Sequence, residues 1–229
     1  MSDAVMLITG ASSGIGAATA RQAAGAGWRV ALAARSQERI TALAEELGGP
    51  ERALAVRCDV NDEASQQAMV EQVLDHFGRI DAVFANAGMG GSPGGFSGAD
   101  TAVWREMIVT NIYGVGLTLR HTLDALKKTR GHLLLTGSAA GRATIPGSMY
   151  SATKWAVSAI GYGVREELRG TGVRVTLIEP GMVDTPFFDD RPAHALEPED
   201  VARSVLYAVS QPAHVDVNEI LVRPTPPLE

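Results

Sequence analysis

The sequence predicts an α/β fold in which a parallel sheet is covered by helices on both faces. Short β-rich apolar runs alternate with longer helical patterns along the whole chain, the rhythm of strand–helix–strand units. Glycines Gly27, Gly48, Gly78 and Gly170 each follow a helical run, where a left-handed cap belongs. The two loops richest in Gly, Ser and Pro, residues 88–98 and 180–198, both follow a strand. They therefore fall at the carboxyl edge of the sheet, where open α/β sheets bind ligands.

Strands are expected over 5–9, 29–34, 53–58, 82–85, 132–136, 173–178 and 219–222, and helices over 15–26, 37–47, 63–77, 101–126, 149–169 and 198–209. The first strand opens on a glycine turn. The second ends at Arg35-Ser36, the third at Asp59-Val60 and the fourth at Asn86-Ala87-Gly88. The fifth runs into Gly137-Ser138, and the sixth into Pro180-Gly181. No internal repeat or linker interrupts this order, so the 229 residues are read as one domain.

Composition narrows the function. Net charge is −6 and no Lys/Arg cluster stands out, against a nucleic-acid partner. No run is apolar enough to span a membrane, and the N-terminus lacks a basic stretch followed by a long apolar run, so a cytoplasmic protein is expected. Cys58 is the single cysteine and lies in an apolar run, which predicts a packed, inert thiol. The five histidines show no metal-ligand spacing, and no metal is expected.

The turn Gly10-Ala11-Ser12-Ser13-Gly14-Ile15-Gly16 joins the first strand to the first helix. Glycines there let the backbone approach a diphosphate, which the amides and dipole of the helix N-terminus favour. The second strand ends without an acidic residue to receive a ribose 2′-hydroxyl; it offers Arg35 and Ser36. A guanidinium suits a 2′-phosphate, so NADP is preferred, with NAD possible. Asp59 and Val60 can meet the adenine, although Asp59 can equally cap the following helix.

Tyr150 and Lys154 stand four apart at the start of a helix and share one face. A phenol titrates near 10, too high for acid–base work at neutral pH. An ammonium about 5 Å away favours the phenolate by roughly 3 kcal/mol, or about two pKa units. Lowering of the Tyr150 pKa by Lys154 is therefore expected. Ser138, at the carboxyl end of the fifth strand, is placed to donate a hydrogen bond to a developing alkoxide. Asn111, a poor helix former in an apolar helical run, points to a specific role.

Residues 9–16 (TGASSGIG), Asn86-Ala87-Gly88, Asn111, Gly137-Ser138, residues 150–154 (YSATK) and Pro180-Gly181, in this order, resemble the short-chain dehydrogenase/reductase family. The resemblance implies a single-domain Rossmann fold, a doubly wound seven-stranded parallel sheet over 1–229, with a short substrate lid at about 182–198. It implies hydride exchange between NAD(P) and a carbonyl or secondary alcohol, with Tyr150 as general acid/base and Ser138 polarising the substrate oxygen. Lys154 would lower the tyrosine pKa and hold the nicotinamide ribose, and Asn111 would order a water that relays protons. Asn86, Ala87 and Gly88 would line the cofactor groove; Pro180, Gly181, Val183 and Thr185 would contact the nicotinamide half. The partners implied are a small-molecule substrate and further copies of the chain, as a tetramer or dimer.

The chain departs from the family pattern at Ala85, where a second asparagine is common, and in the short segment after Phe188. Residues Ala140, Ile145, Met149, Phe187 and Phe188 make the expected pocket apolar, with Arg142, Arg191 and His194 as candidates for substrate contact. Trp155, Val157, Ala159 and Ile160 suit either a subunit contact or the core. A catalytically silent cofactor-binding regulator would have lost a member of the tetrad, and all four are present. A nicotinamide-using lyase or epimerase would carry a longer substrate domain.

Overall fold

The first strand sets the division on which the rest is built. The computed structural model describes residues 3–91, 93–187 and 192–226. In it β1 (Val5–Thr9) is buried along its whole length. Met6 and Ile8 enter one core while Val5 and Leu7 enter the other, as the two-residue period of a strand requires. β2 (Arg29–Ala34) divides likewise: Ala31 and Ala33 to one side, Val30, Leu32 and Ala34 to the other. With β3 (Ala53–Arg57), β4 (Ala82–Ala85), β5 (His132–Thr136), β6 (Arg174–Pro180) and β7 (Glu219–Val222) they form one seven-stranded sheet, ordered β3-β2-β1-β4-β5-β6-β7. Every pairing is parallel. Strand order reverses between β1 and β4, and the loops after these two strands flank that switch point.

Helices α1 (Gly14–Gly25) and α2 (Gln37–Glu46) cover one face, and α3 (Glu63–Phe77) the other. Asp62 caps α3 by accepting from Ser65 N at 3.0 Å, and Gly78 closes it at φ 75°, a left-handed angle that glycine adopts without strain. A short turn α4 (Gly95–Gly98) forms inside the glycine-rich loop, followed by α5 (Thr101–Ile108), α6 (Gly114–Thr129), α7 (Met149–Glu167) and α8 (Pro198–Ser210). Leucines and valines of α6 and α7 join α3 in its core, and α8 joins α1 and α2 through Val201 and Val205.

Two departures from the sequence expectation go beyond shifts of a residue or so at element ends and bear on the site. The single helix expected over 101–126 is divided: Val109–Tyr113 form a π-helical turn between α5 and α6. The wider turn lets Asn111 bury its side chain and bond to another loop; such turns recur at functional sites. β6 runs on to Pro180, because Glu179 and Pro180 pair with Leu221 and Val222 of β7. A proline is tolerated at that strand end, where no ladder N–H is needed. Among the described residues no helix is long and apolar enough to cross a membrane.

Candidate active site

Hydrogen bonds to one threonine join the two strand ends at the switch point. Thr9 Oγ1 accepts from Asn86 N at 3.0 Å and Ala87 N at 3.1 Å, while Asn86 Nδ2 donates to Thr9 O at 3.1 Å. Thr136, at the end of β5, donates to Asn86 Oδ1 at 3.1 Å. The Asn86 side chain is thereby spent on holding β1, β4 and β5 in step. Gly10 (φ 66°) and Gly14 (φ 52°) turn the chain over this base. A Cβ on Gly16 would lie 2.3 Å from Gly10 O, so only glycine fits there.

Ser13 precedes α1 but makes no side-chain cap. The first-turn amides of Gly14, Ile15 and Gly16 are therefore left for an outside acceptor, the arrangement that suits a diphosphate. Arg35 is exposed and makes no ion pair among the described residues, and Ser36 stands before α2 with its hydroxyl outside any cap. Ser12 and Ser13 line a groove of about 440 Å³ beside α1 and α2. Asp59 is not a helix cap, since Asp62 has that place; its carboxylate accepts from Asn61 N at 3.0 Å. Val60 O accepts from Gln66 Nε2 at 2.9 Å, and the same amide reaches Gly114 O at 2.8 Å. The 59–60 turn is in this way tied to the start of α6.

The groups expected to react converge above β4, β5 and β6. Ser148 caps α7 by accepting from Ser151 N at 3.1 Å. Ser151 Oγ in turn donates to Ala140 O at 2.6 Å. This fastens the start of α7 to the turn that carries Ser138, a residue only 7% exposed. The Ser138 side chain stands close enough to the Tyr150 phenol to favour its charged form. Lys154 is buried, and its Nζ donates to Thr136 O at 2.8 Å and lies 5.7 Å from the centre of the Tyr150 ring. An ammonium has three donors, and Thr136 O is the acceptor it has among the described residues. The donors that remain fit the ribose hydroxyls of a nicotinamide nucleotide.

Asn111 is 1% exposed. Its Oδ1 accepts from Met89 N at 2.9 Å, and its Nδ2 donates to Met89 O at 2.8 Å and Thr153 Oγ1 at 3.0 Å. It thus pins the loop after β4 to the helix of Tyr150. A Cβ on Gly88 would come 3.3 Å from Asn111 Oδ1 and 3.7 Å from Lys154 Nζ, so the bare backbone lets these groups approach. On the opposite side Gly181 N donates to Val222 O at 2.7 Å. Val183 forms a bridge with Leu196, and Thr185 packs on Gly14. Val183 and Thr185 are therefore fastened to Leu196 and to the glycine turn. Phe187 meets the Tyr150 ring edge-on at 5.5 Å.

Electrostatics differ from the sequence expectation. Burial raises the Tyr150 phenol above its ordinary value; the Ser138 side chain opposes this, and Lys154 does not lower it. Burial instead pushes the Lys154 ammonium down to about 8. The physical reason is that desolvation, which point charges in a uniform dielectric ignore, disfavours both charged forms. In this state Tyr150 holds its proton and Lys154 titrates near neutrality.

Arg142 also differs from expectation: its guanidinium is taken up by Glu179 and Glu219 rather than left for substrate. Val157 belongs to the core, while Trp155 is 51% exposed. His194, between β6 and α8, has φ 54°; Arg191 and Phe188 lie outside the described residues. Cys58 is buried, and burial pushes its thiol up to about 11, consistent with an inert group. Sequence reading gave no role to Thr9, Thr136, Ser151, Thr153 and Glu179, although Thr9, Ser151 and Thr153 lie inside its motifs. Glu179 left a signal too, as a carboxylate set between Ile178 and Pro180 in an apolar strand.

Comparison with known proteins agrees with this geometry. The short chain dehydrogenase profile matches residues 4–195. Sulfoacetaldehyde reductase 2 of Chromohalobacter salexigens is 39% identical, over 98% of this chain and 95% of its own. An alcohol dehydrogenase from the archaeon Thermococcus sibiricus, solved with 5-hydroxy-NADP, superposes at TM-score 0.89 with 34% identity over 99% of both chains. A 3-ketoacyl-(acyl-carrier-protein) reductase from Brucella melitensis, solved with NADH, gives TM-score 0.89 with 28% identity over 96% of both chains. The glycine turn, the Ser138–Tyr150–Lys154 cluster and these matches together make the chain a member of the short-chain dehydrogenase/reductase family, an oxidoreductase of CH–OH and C=O groups that uses a nicotinamide cofactor.

Proposed function

We propose that the chain is an NADP(H)-dependent carbonyl reductase or secondary-alcohol dehydrogenase in which Tyr150 is the general acid/base. The observation that carries this reading is the convergence of the buried Ser138 turn, the Tyr150 phenol and a buried Lys154 whose Nζ lies 5.7 Å from the centre of the Tyr150 ring. The cofactor supplies the hydride in reduction and accepts it in oxidation. The protein's own groups manage the proton. A substrate oxygen at the Ser138–Tyr150 hydroxyls receives a hydrogen bond from Ser138, which stabilises charge as it develops. Tyr150, kept protonated by its surroundings, gives its proton to that oxygen in reduction and takes it back in oxidation. Lys154, lowered to about 8, is matched to reloading Tyr150 near neutral pH, and Asn111 positions the water path to solvent. Its two hydrogen bonds to the Met89 backbone also fix the loop that borders the cofactor groove.

The groove is assigned to residues 10–16, Asn86, Ala87 and Gly88 for the diphosphate and ribose, with Asp59 and Val60 at the adenine. Pro180, Gly181, Val183 and Thr185 are assigned to the nicotinamide half. Arg35, unpaired among the described residues, and Ser36 support a 2′-phosphate, hence NADP over NAD. Residues 182–198 are assigned as the lid of a single domain. Trp155 and Tyr162, 51% and 42% exposed one above the other on α7, support a homo-oligomer, and the cytoplasm is the proposed location.

Tyr150→Phe tests the assignment. It removes the proton donor but keeps the ring, so turnover of a carbonyl and alcohol panel should fall by about a thousandfold or more. NADPH affinity, read by fluorescence titration, should stay within about twofold of the parent, the change expected when only a transition-state contact is lost. Retained turnover would remove Tyr150 from its role.

A further inference from the structure

Glu179 is 0% exposed, the most deeply buried carboxylate among the described residues. It stands at the end of β6, immediately before Pro180. Arg142 Nε donates to its two oxygens at 2.8 and 2.9 Å, and Arg142 NH2 lies 2.8 Å from Oε2. Ser158 Oγ donates to Oε1 at 3.3 Å and also to Lys154 O at 3.3 Å. Arg142 is itself 33% exposed and reaches Glu219 on β7 as well. A well-packed apolar pair would hold a core as firmly as a buried ion pair. Stability alone therefore does not account for a charge at this depth.

What the pair joins gives it a use. Arg142 directly follows the short turn Ala139–Gly141 that Ser138 opens. Glu179 directly precedes Pro180, whose carbonyl lies 3.5 Å from Ser138 Oγ. The turn is seated closely on every side. A Cβ on Gly137 would come 2.8 Å from Glu179 Cγ, and one on Gly141 would come 2.8 Å from Lys154 O. A bidentate guanidinium–carboxylate pair fixes orientation as well as distance.

We propose that Arg142 and Glu179 are positioning residues, a clasp that holds the Ser138 turn in register against the end of β6 and the helix of Tyr150 and Lys154. This rests on the catalytic reading of Ser138 given above. The clasp touches neither substrate nor cofactor. It acts through the placement of the Ser138 hydroxyl, and a displacement of about 1 Å in such a group can cost on the order of a hundredfold in rate.

The test is a double-mutant cycle on the full chain with NADPH and a substrate from the panel. Arg142→Met/Glu179→Leu removes both charges at similar volume, so it should fold, as checked by its thermal melt, and bind NADPH within about threefold of the parent. Its kcat should fall at least about tenfold. Should that variant not fold, Arg142→Lys keeps the charge but loses the two-pronged geometry, and a kcat loss of about threefold is expected of it. Adding either change to Ser138→Ala should then lower kcat by less than about twofold further, because a clasp that acts through Ser138 has nothing left to position. A folded clasp variant with the parent's kcat, while Ser138→Ala loses activity, overturns the clasp and leaves the catalytic reading standing. Losses that multiply in the Ser138→Ala background also overturn it. Full activity of Ser138→Ala by itself overturns the catalytic reading, and the clasp with it.

Discussion

Acid should destabilise this fold through one histidine at the foot of the strand that carries Ser138. His132 opens β5 and is 1% exposed. Thr176 Oγ1 donates to Val217 O, so it accepts from His132 Nε2–H, at 2.7 Å. That assigns the proton of the neutral ring to Nε2. Nδ1 is buried with no partner among the described residues, so a second proton there would be unsatisfied. Burial, aided by the positive charge of Arg174, pushes the imidazole down to about 3 from an ordinary 6.5. A base whose folded pKa is depressed binds more protons when unfolded. Stability therefore rises with pH between the two values and is lost as pH falls through them. At about 1.36 kcal/mol per unit the full window is worth about 5 kcal/mol, of which about 2 kcal/mol falls between pH 7 and pH 5. His132→Leu removes this titration and leaves Thr176 bonded to Val217. Urea unfolding at the two pH values should show the parent losing about 2 kcal/mol more than the variant on acidification. Equal losses would refute the account of His132.

Three further outcomes are expected. Arg35→Asp should lower the NADPH-over-NADH preference in kcat/KM by about 30-fold, the worth of a charged hydrogen bond of about 2 kcal/mol; an unchanged ratio would remove Arg35 from the 2′-phosphate. Gly16→Ala places a Cβ 2.3 Å from Gly10 O, so the glycine turn must open. Isothermal titration should show NADPH affinity down by about tenfold or more, while overpacking costs about 1–3 kcal/mol of stability; undiminished affinity would show that the turn does not shape the cofactor groove. Asn111→Leu leaves the Met89 amide and carbonyl without their side-chain partner, at a cost of about 3 kcal/mol. The melting temperature should drop by about 6–12 °C, and a drop of under about 2 °C would contradict the anchoring of the loop after β4.

Local pattern was sufficient for most of the fold and for bringing Ser138, Tyr150 and Lys154 to one edge of the sheet. Strand alternation, glycine caps and the glycine turn are dictated by backbone geometry, which acts between near neighbours. β1, β2, β4, β5 and β7 accordingly lie where the sequence puts them. The Tyr150–Lys154 pair was legible for the same reason, since a four-residue spacing on a helix is a local fact. The π-helical turn at Asn111 was half legible: the misplaced asparagine marked the spot, but its partners Met89 and Thr153 are 22 and 42 residues away.

What only the tertiary structure decided concerns charge. Spacing alone made Lys154 the group that lowers the Tyr150 pKa and left Arg142 as a candidate for substrate contact. Folding buries Lys154 on Thr136 O and seals Arg142 onto Glu179, 37 residues away. Desolvation grows with everything packed around a group, from whatever part of the chain it comes. No local pattern carries that sum, so the protonation states of the site and the clasp beneath Ser138 became visible only once the sheet and its helices had closed over them.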